Sequence, residues 1–202
     1  MNYQLVLEDE LKKITRPGTK LLLHACCAPC SSYCIEYLSN YFDITVFYYN
    51  PNIDTDEEYE KRVNELKRFV SEFKTRFPVT VVDAGHNQED FNKMAVGLEN
   101  EPERGARCVK CYELRLRKSF EYAKANNFDY ITTTLTLSPL KNSQVINEIG
   151  KLLEKEYEFK YLYSDFKKKE GYKRSLVLSR EYNLYRQDYC GCKYSKKNKI
   201  CD

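Results

Sequence analysis

The chain has 202 residues, of which 33 are basic and 30 acidic, for a net charge of +3. That length suits one domain with a real core and no need of disulfide staples or a structural metal, and so small a net charge excludes a global field that would advertise a polyanionic partner. No stretch approaches the roughly 18 uninterrupted apolar residues of a membrane span, and the opening MNYQLVLEDELKK has no apolar signal core, so the expectation is a cytoplasmic protein with no membrane partner.

In chain order, Lys20–Ala25 is a short apolar run that ends in Cys26-Cys27-Ala28-Pro29-Cys30, which predicts a buried strand running into a turn. Ile44–Tyr49 predicts a second strand, halted at Asn50-Pro51-Asn52. Thr55 with Glu58 makes a capping box, and Tyr59, Val63, Leu66, Phe69, Phe73 and Phe77 recur at helical spacing, so a helix follows with one face for a sheet. Val79–Val82, Asp129–Thr134 and Lys160–Tyr163 predict three more strands, with helical patterns around Phe91, over Val109–Ala125 and around Val145–Leu153.

Strands alternating with helices imply an α/β fold, a parallel sheet flanked by helices. With no Pro/Gly/Ser-rich linker and no internal repeat, the expectation is a single α/β domain over 1–202, with an irregular Cys- and Lys-rich tail from about 186 to 202. Ligands of such sheets bind beyond the carboxyl ends of the strands, which puts Cys26, Cys27 and Thr132-Thr133-Thr134 at the functional edge.

Nine cysteines without an export signal point to thiols that bind metal or cycle redox state. They cluster as Cys26, Cys27 and Cys30, as Cys108 and Cys111, and as Cys190-Gly191-Cys192, with Cys34 and Cys201 apart. Cys108 and Cys111 stand three apart where a helix begins, so both sulfurs can face one point while helix-end N–H groups favour thiolate. The vicinal pair Cys26-Cys27 converges where its strand breaks before Pro29. Together the pairs supply four thiolates, enough for a [4Fe-4S] cluster or a tetrahedral zinc.

One half of that set ends a central strand at the ligand edge, unlike a zinc knuckle, but iron-sulfur, structural zinc and plain disulfide or core thiols all stay open on the residues alone. In the C-G-C, Gly191 relieves strain if the two sulfurs join in a small, easily reduced ring; the rival is that Cys190 or Cys192 ligates metal. Cys30 is either a ligand to a second, mononuclear iron or a packing thiol at the start of the next helix, and Cys34 reads as packing. His24 could be a ligand or a proton donor, although a single His on an apolar strand is more often a hydrogen-bonded core residue.

His24-Ala25-Cys26-Cys27-Ala28-Pro29-Cys30, Tyr49-Asn50-Pro51-Asn52-Ile53 with Glu58-Tyr59, Arg107-Cys108-Val109-Lys110-Cys111-Tyr112 with Arg115-Leu116, Thr132-Thr133-Thr134-Leu135 with Ser138-Pro139, Asp165-Phe166-Lys167-Lys168, and Tyr185-Arg186-Gln187-Asp188-Tyr189-Cys190-Gly191-Cys192 follow one another in this order. In these motifs, over nearly its whole length, the chain resembles the cobalamin-independent, iron-sulfur epoxyqueuosine reductases, which finish queuosine synthesis in tRNA. One departure is Thr55, which stands where proline is expected after Asn52.

The resemblance implies a fold related to the PP-loop nucleotide-binding α/β domains, cluster ligands at Cys26, Cys27, Cys108 and Cys111, and a redox pair at Cys190 and Cys192. It also allows an additional mononuclear iron, for which Cys30 and the C-G-C are candidates. The implied partners are the epoxyqueuosine-containing anticodon arm of tRNA and an unidentified electron donor. Tyr112, Tyr189 and Lys168 are candidate proton donors. Lys167-Lys168-Lys169 with Lys173-Arg174, and Lys193-Tyr194 with Lys196, Lys197 and Lys199, are candidate RNA contacts.

Two other readings compete. A PP-loop tRNA thiolation enzyme shares the architecture, but needs a Ser/Gly-rich phosphate loop where this chain has Cys26-Cys27-Ala28-Pro29-Cys30. A zinc-stabilised RNA-binding module would use the thiolates only to hold the tail against the sheet.

Overall fold

Apolar and β-branched runs form four strands, β1 (Lys20–His24), β2 (Asp43–Tyr48), β3 (Val79–Asp83) and β4 (Tyr130–Thr133). In the computed structural model, which describes residues 1–196, they pair into one all-parallel sheet in the order β3-β2-β1-β4. Lys197, Lys199 and Cys201 lie outside the described residues.

β1 is central because Leu21, Leu22 and Leu23 are apolar toward both faces, and all three are fully buried. Leu21 and Leu23 point to the side where α2 (Ala28–Leu38) and α3 (Asp56–Glu72) pack, through Ile35, Leu38, Val63, Leu66 and Phe69. Leu22 points to the other side, against α5 (Ala106–Ala125) and α6 (Ser143–Tyr157), through Leu116, Phe120, Ile149 and Leu153. This alternation is the two-residue period of a strand feeding two cores.

The expected α/β fold with a parallel sheet flanked by helices is therefore what the chain adopts. Thr55 caps α3, its side chain accepting from Glu58 N at 3.2 Å, but Glu58 does not reciprocate. Its carboxylate goes to Arg62 at 2.6 Å and to the Tyr185 hydroxyl at 3.1 Å, and Phe73 and Phe77 fall beyond the helix end. α5 begins three residues before the expected Val109, so Cys108 lies in its first turn. Four more α-helices, α1 (Tyr3–Leu11), α4 (Gln88–Ala95), α7 (Gly171–Glu181) and α8 (Lys193–Lys196), and a 3-10 turn over Thr134–Leu137 complete the described residues. No helix among the described residues is long and apolar enough to cross a membrane.

The expected fifth strand is corrected to a single bridge, Ile131 to Tyr161. Side chains take the ladder's partners there: Glu154 Oε1 accepts from Tyr161 N at 2.9 Å, Asn147 Oδ1 accepts from Ser164 N at 3.1 Å, and Thr132 Oγ1 donates to Leu162 O at 2.8 Å. With its polar groups satisfied this way, the segment has no need of a continuous ladder.

From β1 the chain moves to β2 and β3 on one side, then crosses to β4 on the other, so the sheet's switch point lies between β1 and β4. Crevices at the carboxyl edge of such a point are the usual ligand sites of open parallel sheets.

Packing beside that edge is tight at Gly150 of α6, where an added Cβ would stand 2.3 to 2.6 Å from three ring atoms of buried Tyr161. Overpacking of about 3 kcal/mol outweighs the roughly 1 kcal/mol that Ala gains over Gly in a helix, so Gly150→Ala should lower stability by about 2 kcal/mol in urea unfolding. A neutral or stabilising result would mean that the Tyr161 ring moves freely.

Candidate metal and redox site

A cavity of about 410 Å³ opens at the carboxyl edge between β1 and β4, and Cys26, Cys27, Cys30, Cys108 and Cys190 all line it. Local geometry brings the first three together. β1 ends at His24, Cys27 is the extended residue that starts α2, and Pro29 in the first turn suits a helix beginning where no N–H is needed. Cys30 then returns one turn later toward the vicinal pair.

The Cys26 and Cys27 sulfurs are 3.7 Å apart, and all three sulfurs lie within 4.8 Å of one another. Thiolates bound at about 2.3 Å to one tetrahedral ion lie roughly 3.8 Å apart, so this trio has the spacing of a metal site. Cys34, a turn further on, is fully buried with its thiol on Cys30 O at 3.4 Å, as a packing residue.

Cys108 and Cys111 part company. Cys108 lines the cavity and accepts from Arg104 N at 3.2 Å, whereas Cys111 is buried with Cys192, Phe91 and Ala95. The C-G-C divides in the same way, Cys190 on the cavity wall and Cys192 in that small core, both as free thiols. Gly191 between them has φ +113°, a conformation that favours glycine, and a Cβ there would stand 3.1 Å from Arg62 Nη1. Two hydrogen bonds pin the segment to the start of α3: Arg62 Nη1 donates to Cys190 O at 3.2 Å and Asp54 N donates to Gly191 O at 3.0 Å.

Two buried arginines that the cysteine spacing alone does not reveal complete the wall. Arg62 sits on the apolar stripe of α3 between Tyr59 and Leu66, and a cation in such a stripe is the signal that could have marked it. Arg115, one turn beyond Cys111, donates to Asn50 Oδ1, and Asn50 Nδ2 donates to Ala25 O at 2.9 Å. Arg115 Nε, Arg62 Nη2 and Gln187 Oε1 are buried without a hydrogen-bond partner. No carboxylate pairs with Arg115 among the described residues; burial works against its charge, but the thiols of Cys111, Cys26 and Cys190 hold it protonated.

The same environment splits the thiols. Hydrogen bonding from Cys27 and Cys30 draws Cys26 well below the usual thiol range against the desolvation of its burial. The interaction with Cys26 pushes Cys27 up to about 11 and Cys30 well up. Burial raises Cys108 and takes Cys111 to about 12, so in the metal-free protein desolvation overrides the expected help of the helix-end N–H groups.

His24 is a core residue. It is fully buried, with Nδ1 2.8 Å from Thr133 Oγ1 and Nε2 donating to Tyr49 O at 3.3 Å, and burial lowers it to about 3, which keeps the ring neutral.

Among the proton-donor candidates, Tyr112 lines the cavity with no hydrogen-bond partner for its hydroxyl, Tyr189 also lines it but donates to Asp54 at 3.0 Å, and Lys168 is exposed and not part of the wall. The first basic patch is largely neutralised. Lys167 pairs with Asp165 at 3.0 Å, Lys169 with Glu8, Lys173 with Glu170, and Arg174 with Glu36 at 2.6 Å. Lys196 pairs with Asp54 at 2.7 Å beside the Tyr189 ring, and Lys193 reaches Asn92 at 3.1 Å.

A family model described as epoxyqueuosine reductase QueH matches residues 21–198. Proteins of that name are similar to nearly the whole chain. The one from Streptococcus pyogenes serotype M1 is 44% identical over 201 residues, covering 98% of this chain and 79% of its own. That of Staphylococcus epidermidis is 43% identical, covering 96% and 84%, and that of Thermotoga maritima 33% identical, covering 87% and 89%.

The divided thiol acidities have a direct readout. In metal-free, fully reduced protein at neutral pH, limiting iodoacetamide should alkylate Cys26 ahead of Cys27, Cys30, Cys34 and Cys111, because only its thiolate is favoured. Peptide mass mapping checks the order; equal labelling of Cys26 and Cys27 would contradict the asymmetry.

Proposed function

The chain belongs to the QueH family of epoxyqueuosine reductases and is therefore an oxidoreductase; from that premise we propose that it reduces epoxyqueuosine to queuosine in tRNA, with a [4Fe-4S] cluster on Cys26, Cys27, Cys108 and Cys111. Membership sets aside both the zinc-stabilised RNA-binding module and the tRNA thiolation enzyme.

The observation that carries the proposal is Arg115. A buried guanidinium with no carboxylate costs several kcal/mol unless anions stand close to it. Its neighbours are thiols, and its Nε, like Arg62 Nη2, has no hydrogen-bond partner among the described residues. A sulfur-rich anion in the cavity would accept from both, so the donor set and the charge around it fit an iron-sulfur group.

Removing an epoxide oxygen to leave an alkene consumes two electrons and two protons, and the oxygen leaves as water. A bound cluster supplies single electrons and Lewis acidity. The chain's own part is to hold it and balance its charge. Arg115 and Arg62 line the cavity with the thiols, and Thr134 Oγ1, 3.7 Å from Cys26 Sγ, is a further donor.

Cys190 and Cys192 are proposed as the redox pair: oxidation of two thiols to a disulfide releases two electrons and two protons, the amount that the deoxygenation consumes. An external electron donor then restores the dithiol. Cys30, whose sulfur lies within 4.8 Å of those of Cys26 and Cys27, supports a second reading in which it ligates an additional mononuclear iron beside the cluster. For the anticodon arm, Tyr185, next in sequence to the cavity-lining Arg186, carries Lys61 Nζ 3.7 Å from its ring centre, a cation and a stacking surface together.

Anaerobic reconstitution with iron and sulfide should give about four of each per chain and a reduced-state EPR signal, and the protein should convert epoxyqueuosine in tRNA. Cys108→Ser should lose the cluster, while iron in excess of sulfide that disappears in Cys30→Ser would mark the extra iron. One zinc per chain with no cluster would sink the iron-sulfur reading. Full multiple-turnover activity in Cys190→Ser would remove that sulfur from the mechanism.

A further inference from the structure

The cavity wall carries an ammonium, that of Lys141, which faces the charge of Cys190, Cys26 and Cys30 against the desolvation of its burial and yet is bonded to none of them. Lys141 lines the cavity, and its ammonium makes no hydrogen bond or ion pair among the described residues. Lys167, its neighbour, instead reaches a carboxylate, that of Asp165 at 3.0 Å. Lys141 is only partly exposed, so bulk water does not explain its lack of a partner.

Its backbone is held from both sides. Lys141 N donates to Ser138 O at 3.1 Å, and Lys141 O accepts from Lys167 Nζ at 3.4 Å. The same Nζ also donates to Thr136 O at 3.1 Å and pairs with Asp165, which accepts from Ser143 Oγ at 3.0 Å. The next residue, Asn142, caps α6. A short turn at the carboxyl end of β4 is thus pinned to a loop and a helix, with a single unpaired ammonium beside the cavity. Such support of a polar group that lacks a protein partner is what a binding site requires. The Tyr112 hydroxyl, likewise unpartnered, lines the same cavity.

We propose that Lys141 is a catalytic residue of the deoxygenation, its ammonium donating a hydrogen bond to the epoxide oxygen and holding the negative charge that grows there. This rests on the epoxyqueuosine reading. Both C–O bonds break, two electrons from the reductant enter the carbon framework to form the C=C bond, and the oxygen leaves as water with two protons drawn ultimately from solvent. Lys141 contributes charge and a hydrogen bond, not electrons. A preorganised donor at a developing oxyanion acts mainly on the transition state, so its loss lowers kcat more than it raises KM.

The test uses reconstituted wild type, Lys141→Ala and Lys141→Arg with epoxyqueuosine tRNA and excess chemical reductant. Lys141→Ala should retain iron, sulfide and the reduced EPR signal, while its kcat falls roughly 100- to 1000-fold with KM little changed. Added methylamine should restore part of the rate saturably, and Lys141→Arg should keep more activity than Lys141→Ala. Wild-type kcat in Lys141→Ala would overturn the assignment. So would a raised KM at unchanged kcat, which marks a contact to the tRNA backbone, or loss of iron and sulfide, which marks a counter-ion of the metal centre. A wild type that leaves epoxyqueuosine intact with its iron and sulfide in place would overturn the functional reading itself, and this role with it.

Discussion

The site depends on one chain of polar contacts, from the Arg115 guanidinium to the Asn50 side chain and from Asn50 to the Ala25 carbonyl. Arg115 lies seven residues, two helical turns, beyond Cys108 on α5, and Ala25 immediately precedes Cys26. The chain therefore ties the helix carrying one cysteine pair to the strand end carrying the other, through the loop after β2. Asn50 can do this because its amide both accepts and donates. An apolar residue there would leave a buried cation and a buried carbonyl unsatisfied together.

That arrangement puts positive charge under the thiols instead of carboxylates. A carboxylate beside Arg115 would neutralise it and repel thiolates; with none, the sulfurs around it face the cation, and Cys26, the one drawn toward its thiolate, is placed to balance it. Within the trio the charge is unevenly shared, because three sulfurs so close together cannot all ionise in a dry site. Cys26 takes the charge and its neighbours keep their protons. A metal ion reverses that cost by pairing with every thiolate at once, which links ligand deprotonation to metal binding.

The C-terminal segment completes the wall by folding back on α3. Arg62, Asp54 and Glu58 bind it through Cys190 O, Gly191 O, the Tyr189 hydroxyl and the Tyr185 hydroxyl, so one short stretch of α3 and its lead-in sets the position of the C-G-C. Cys190 consequently faces the cavity while Cys192 packs with Cys111. Lys196 closes the same arrangement on Asp54, which is why much of the positive charge near the C-G-C is engaged in the fold.

Local chemistry made a good deal of this legible in the sequence. The Thr55 cap, the alternation of strands and helices, the strand that breaks at Cys26-Cys27 and the ordered cysteine motifs all act over a few residues or repeat with a fixed period, and such signals survive in one dimension. Tertiary structure alone decided that Lys160–Tyr163 makes a single bridge, because Glu154, Asn147 and Thr132 supply its partners from elsewhere. It also brought Cys30 into the trio, set Arg62 and Lys141 on the cavity wall and paired the basic run at 167–174 with Glu8, Glu36, Asp165 and Glu170. A residue's charge and ligand type are written in its identity, whereas its burial and its partner belong to contacts between segments far apart in the chain, and those exist only once the sheet has brought the segments together.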